Sequence, residues 1–300
     1  MSKLKEFALF LGCLIPYHFP EMEVAARKVF NKYDYGFKEM EGVGCCPDPV
    51  ALQSADLLTW CSLAARNISI AQEMDLDILT LCSGCYETFK TVKYHLEHDE
   101  KLFDKVNEVL GQIGREYTGK TEIYHSFEII YNEIGKERIK KDIVKELTGL
   151  RVGIHYGCHL VKPSKIMQMD NPEDPQKLDE MITLLGATSV QYEGKMDCCG
   201  SVVTRTREEL GYEMGKNKLL TIHDRGVDCM ALVCPCCYQQ FDWRQPLIKR
   251  RYPEEITFEI PILSYEELLA LAIGFKPEEL GFKFHRVKAK EVIEKIYGDA

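Results

Sequence analysis

Ten of the thirteen cysteines in this chain fall into two matching sets. The first is Cys13, the adjacent pair Cys45-Cys46, then Cys82 and Cys85; the second is Cys158, the pair Cys198-Cys199, then Cys234 and Cys237. Each set closes on C-x-x-C. Thiolates bind soft metals and do redox chemistry, so this repeated pattern points to metal ligation. A structural zinc site takes four ligands in a tetrahedron, which leaves one thiol idle at the same place in both halves. Adjacent cysteines also reach two irons of a cluster more readily than one small ion. An ordinary cubane takes four cysteines, and a fifth suggests an enlarged or opened cluster. Zinc in one half stays open as an alternative. A lone C-x-x-C can be a thioredoxin-like redox pair, but here it is embedded in a five-cysteine pattern written twice. Cys61, Cys229 and Cys236 have no counterpart in the other half and read as small buried hydrophobes. Cys236, inside the second C-x-x-C, is also a competing ligand.

The flanks repeat as well. Phe7-Ala8-Leu9-Phe10-Leu11 leads into Gly12-Cys13, and Val152-Gly153-Ile154-His155-Tyr156 into Gly157-Cys158. Ile123 to Ile130 is echoed by Ile262 to Leu269. Agreement at this many points is the mark of duplication, with halves at 1–149 and 150–300. Lys136 to Glu146 is a charged, helix-like connector. Short apolar runs of strand length precede Cys13, Cys82, Cys158 and Cys234. Helix-like runs cover Tyr86 to His98, Pro175 to Leu185 and Glu208 to His223. The fold class that follows is α/β, internally duplicated, with two pseudo-symmetric Rossmann-like halves and mostly parallel strands. Ligands then sit at the carboxyl ends of strands, and a helix starting just after C-x-x-C aims its positive end at an anionic cluster.

With 38 basic and 47 acidic residues the net charge is −9, which speaks against nucleic acid as a partner. No segment is long and apolar enough to span a bilayer, so direct membrane insertion is not expected. The start, Met1 to Ile15, resembles a leader only superficially, because its apolar run is short and a small-residue cleavage site is missing; a buried first strand is expected instead. A cysteine-rich chain of this kind fits a reducing, cytoplasmic setting.

The pattern Cys…Cys-Cys…Cys-x-x-Cys, with Cys198-Cys199-Gly200 in the second copy, resembles the CCG-domain family over nearly the whole chain, and within it the B-type subunits of methanogen heterodisulfide reductases. The resemblance implies two noncubane 4Fe-4S clusters, one held by Cys13, Cys45, Cys46, Cys82 and Cys85, the other by Cys158, Cys198, Cys199, Cys234 and Cys237. It implies reduction of the coenzyme M–coenzyme B heterodisulfide to two thiols, with each cluster able to take one sulfur. It also implies an iron–sulfur C subunit that supplies electrons, a flavin-containing A subunit, and a hydrogenase or formate dehydrogenase in a larger complex. The alternative is an electron-relay or CCG subunit of another oxidoreductase, for hydroxyacid oxidation or thiol:fumarate reduction. Relatives of that kind often carry a fused ferredoxin-like C-x-x-C-x-x-C segment, which this sequence lacks. The first half departs from the pattern with Cys45-Cys46-Pro47, so the loop after that pair should differ.

His155 and His159 bracket Cys158 and are candidate proton donors, or else packed histidines. Lys162, Lys165, Arg205 and Arg207 follow cluster ligands and are candidate partners for acidic substrate groups, or else solvated surface. Trp60 and Trp243 read as core or interface, and Tyr86 and Tyr238 as residues that shield a cluster or simply pack.

Overall fold

A computed structural model describes residues 5–298; residues 1–4, where the leader-like stretch begins, and residues 299–300 lie outside it. Two four-stranded sheets, all parallel, form one per repeat. In the first, β1 (Lys5–Phe10), β2 (Tyr35–Glu39), β3 (Ile78–Thr80) and β4 (Ile123–His125) are ordered β2-β1-β3-β4. In the second, β5 (Arg151–His155), β6 (Thr188–Val190), β7 (Cys229–Leu232) and β8 (Ile262–Ser264) are ordered β6-β5-β7-β8. Phe7 to Phe10, β3 and β7 are buried throughout. Helices cover both faces of a parallel sheet, so its strands read as continuous apolar runs rather than as alternation.

The duplication and the parallel α/β architecture are as expected. The winding is 2-1-3-4, the order of flavodoxin-type sheets, and not the 3-2-1-4-5-6 of the dinucleotide-binding fold. It reverses between the first and third strand of each half. Connections leaving those two strands diverge there and leave a crevice at the carboxyl ends. Cys13 follows β1, Cys82 follows β3, Cys158 follows β5 and Cys234 follows β7.

Parallel strands require crossovers, and helices supply them. Pro20–Lys32 joins β1 to β2, with proline in its first turn, Glu21 and Glu23 near its positive end and Lys32 in its last turn. Leu57–Glu73 is capped by the Asp56 carboxylate, which accepts the Thr59 N–H. The three expected helices form as Ser83–His98, Lys177–Leu184 and Glu208–His223. The connector is helical only over Lys136–Asp142. Beyond it, Val144 and Lys145 N–H donate to the Ala272 carbonyl of the helix Tyr265–Ala272. That helix packs on Pro20–Lys32, and Ser83–His98 packs on Cys158–Val161, so elements of each half lie against the other.

The echoed segments do the same job twice. His125 and Ser264 each cap a helix in a reciprocal pair, with Glu128 and Glu267 respectively. Tyr86, next to Cys85, donates its hydroxyl proton to Glu128 Oε2 at 3.0 Å. In the second half His285 is inserted: Tyr238 Oη lies 2.9 Å from His285 Nδ1, and His285 Nε2 lies 2.7 Å from Glu267 Oε1. Burial alone would lower His285, but the Glu267 carboxylate outweighs it and holds the imidazole up to about 9. A histidine raised in the folded state stabilises fully below its unfolded pKa, about 6.5, and loses that contribution as pH climbs through the folded value. The chain should therefore lose about 3 kcal/mol of unfolding free energy between pH 6 and pH 10 through this residue. Urea unfolding of the parent and of His285→Gln at both pH values measures it; equal pH slopes in the two proteins contradict it.

Candidate metal centres

Each cysteine set is assembled at the carboxyl ends of three strands. The turn before its first cysteine needs glycine: Gly12 has φ +70° and Gly157 φ +77°, in the left-handed region that only glycine enters freely. A Cβ on Gly12 would also lie 3.0 Å from Cys85 Sγ, and one on Gly157 3.6 Å from Cys237 Sγ. The turn therefore runs directly against the C-x-x-C sulfur. The helix does not start after that motif, as expected, but inside it: Cys82 is the N-cap of Ser83–His98 and Cys234 the N-cap of Pro235–Tyr238. Cys85 and Cys237 thus stand on the first helical turn, and both sulfurs of each motif are kept together.

The thiols neighbour one another in the same sequence in both halves. Contacts run Cys13–Cys45–Cys46–Cys85–Cys82 in the first and Cys158–Cys198–Cys199–Cys237–Cys234 in the second. Each set lines a small pocket, of ≈ 50 Å³ and ≈ 40 Å³ respectively. The two sets meet, because Cys82 also touches Cys234 and Cys236. Cys236 is therefore not an inert core thiol; it lines both pockets, as do Asp48, Pro49 and Gly84. Cys61 and Cys229 are buried away from the pockets, and burial pushes the Cys61 thiol up to about 12.

Charge shows what such a set lacks. Contacts from Cys158 and Cys199 draw Cys198 down to about 2, and Cys198 in turn pushes Cys199 up to about 12. In the first half Cys45 and Cys85 lower Cys46, while contact with Cys45 raises Cys13. In the second set Cys234 is lowered as well, by Cys236, Cys237 and Cys82; the remaining thiols are held up by these neighbours, and five thiolates need a cation or a cationic cluster among them.

His155 points to the same need. It is buried, neither ring nitrogen has a hydrogen-bond partner, and a ring nitrogen lies within 4.8 Å of the Cys199 and Cys237 sulfurs. Unpaired buried polar atoms are costly, so this imidazole fits a further acceptor held by those cysteines. Burial takes it down to about 3, which favours the neutral ring. His159 lines the second pocket, with Nδ1 3.7 Å from the Glu87 carboxylate. Burial lowers its pKa, but Glu87 outweighs burial and leaves it raised.

Of the expected cations, only Arg205 reaches a pocket, and it is the pocket of the other half. Its Nη1 lies 3.2 Å from Asp48 Oδ2. Lys162 pairs with Glu173, Lys165 lies over the Tyr94 ring, and Arg207 is exposed. Arg244 was not singled out in the sequence: it donates through Nη1 to Ser201 O, Ser201 Oγ and Gln240 Oε1, bracing the loop after Cys199. Only its position after Trp243, on the turn that follows Cys237, hinted at it. Trp60 is core, whereas Trp243 is exposed beside His18.

The loop after each cysteine pair differs as Pro47 foretold. Gly200, at φ +82°, donates its N–H to Cys198 Sγ at 3.4 Å, and Ser201 N–H donates to Cys199 Sγ at 3.4 Å. Pro47 stands where Gly200 does and has no N–H to give.

A model of the cysteine-rich domain family, CCG, matches residues 7–90 and 152–242. The chain is 38% identical over 299 residues to a protein of Methanosarcina acetivorans, named as the B component of a ferredoxin/F(420)H(2)-dependent CoB-CoM heterodisulfide reductase, over 99% of this chain and 98% of that one. It is 38% identical over 296 residues to the corresponding B component of the ferredoxin:CoB-CoM heterodisulfide reductase of Methanosarcina mazei, over 98% of each. A solved structure of a hypothetical protein from Helicobacter pylori superposes with a TM-score of 0.75 at 14% identity, over 95% of this chain and 52% of that one; this likeness concerns the fold alone. No described helix is long and apolar enough to cross a membrane.

Proposed function

This chain belongs to the cysteine-rich CCG domain family, and on that premise we propose that it is the iron–sulfur subunit of an oxidoreductase that reduces the coenzyme M–coenzyme B heterodisulfide to two thiols. The observation that carries the reading is the identical five-sulfur chain in both halves, the two chains meeting at Cys82, Cys234 and Cys236. The ligands are Cys13, Cys45, Cys46, Cys82 and Cys85 for one noncubane 4Fe-4S cluster, and Cys158, Cys198, Cys199, Cys234 and Cys237 for the other. Residues 1–149 and 150–300 are the two cluster-binding halves.

Cleaving a disulfide to two thiols takes two electrons and two protons. When bound, the clusters supply single electrons and iron that accepts thiolate. The chain's own part is to bring the two sites together, admit substrate and deliver protons. Cys13 and Cys45 are exposed, so the first pocket is open to solvent. His159, on the wall of the second pocket, is the proton donor. Arg205 binds an acidic group of the substrate, with Asp48 holding the guanidinium until substrate displaces it. The partners are a ferredoxin-like iron–sulfur subunit that supplies electrons and a flavin subunit, with a hydrogenase or formate dehydrogenase behind them, in the cytoplasm.

The test is turnover with a reduced viologen as donor. Oxidation of the reduced viologen by the heterodisulfide and not by fumarate is expected, with no reduction of the oxidised dye by a hydroxyacid; the reverse preference overturns the reading. A charge-assisted hydrogen bond contributes roughly 1.5–3 kcal/mol, and Arg205 is exposed, so the lower end applies. Arg205→Ala should raise KM about tenfold, whereas Asp48→Asn should lower it. Steady-state kinetics reads both, and changes of the same sign in the two variants contradict the assignment.

A further inference from the structure

The two halves share a fold and a sulfur order, yet the groups around the sulfurs differ at three corresponding places. At the end of the first strand, Phe10 pairs with Thr80 on β3, and His155 pairs with Leu232 on β7. The second half therefore puts an unpartnered imidazole beside its cysteines where the first has a phenyl ring. After the cysteine pair, Gly200 N–H donates to Cys198 Sγ, where Pro47 offers no donor. On the crossover helix, buried Lys218 donates to the carbonyls of Gly194 and Lys195 and ties down the loop before Cys198. In the first half buried Asn67 does that work, bonded to Gly44 N–H and the Cys45 carbonyl. A buried ammonium stands against a neutral amide, whose oxygen also accepts from half-buried Arg66 Nη1 at 3.1 Å.

Reduction adds negative charge to a cluster. Hydrogen-bond donors and cations near the sulfurs stabilise the reduced form, and raise the potential. We propose that the cluster of the second half is held at the higher reduction potential, so that electrons entering this chain settle there first. Arg205 does not reverse the order, because it is exposed and paired with Asp48. Water at Cys13 and Cys45 works the other way, but an ammonium and fixed dipoles in dry surroundings act far more strongly than the same groups do in solvent.

The inference rests on the two-cluster reading. Its test is an anaerobic potentiometric titration of the iron-loaded chain at pH 7, followed by EPR, on the parent, His155→Phe and Lys218→Met. His155→Phe installs the first half's residue; Lys218→Met is the second, independent variant. Two waves are expected, and both substitutions should move the higher one down while the lower stays in place. Movement of the lower wave instead, or of neither, overturns the inference and leaves the two clusters standing. Zinc, or iron for a single cluster, overturns the cluster reading and this inference with it.

Discussion

Cys46→Ser should remove one cluster of the two and abolish disulfide reduction while the other half keeps its iron. Cys46 is the middle sulfur of its chain, buried between Cys45 and Cys85. A serine there leaves a gap that the backbone cannot close, because Gly12 already holds the neighbouring turn against Cys85. The other set has its own strands and its own glycine turn, so it should assemble alone. Iron should fall from about eight to about four per chain. Turnover should fall about 10³-fold or more, because groups that act as a unit fail together. Metal analysis and the viologen assay on one preparation measure both. Half the iron with full turnover would mean that a single cluster is enough and that the facing arrangement has no catalytic meaning.

Asp179→Ala should cost about 3–5 kcal/mol, the usual penalty for stranding one member of a buried ion pair. Lys195 Nζ lies 2.5 Å from Asp179 Oδ2 and 2.9 Å from the Pro175 carbonyl. Asp179 Oδ1 accepts from Ser189 Oγ at 2.6 Å and Gln191 Nε2 at 2.7 Å. Both side chains are under a tenth exposed. Ser189 is on β6, and Lys195 lies just before Cys198, so this cluster of polar groups ties the strand to the cysteine pair. Urea unfolding should show the loss, and iron retention in the second half should drop with it. Asp179→Leu combined with Lys195→Met should recover most of the stability, because a packed apolar pair can replace a buried ionic one. A loss below about 1 kcal/mol, the worth of a surface pair, would show that the site is wetter than its burial implies.

The two cysteine sets were legible because duplication printed the pattern twice. The strands were legible because sheets covered on both faces demand continuous apolar runs. The contact between the two sets was not. Cys82 and Cys234 are far apart in the chain, and only the packing of one half on the other brings them together, with Cys236 between them. Asp48 and Arg205 escaped pairing for the same reason, Arg205 lying at the other half's pocket and Asp48 at both. The burial of His155 was hidden because spacing from Cys158 says nothing of it, and burial bears on whether an imidazole carries a proton. The start of the helix inside C-x-x-C was also hidden, since cysteine carries no capping signal of the kind aspartate gives at Asp56.

The most direct test of the central claim is the iron, acid-labile sulfide and zinc content of anaerobically purified chain, with EPR of the same sample under oxidising conditions before and after coenzyme M. About eight irons and a paramagnetic signal that appears with the thiol is the predicted result. Zinc in place of iron after reconstitution, or eight irons with no response to the thiol, would contradict it.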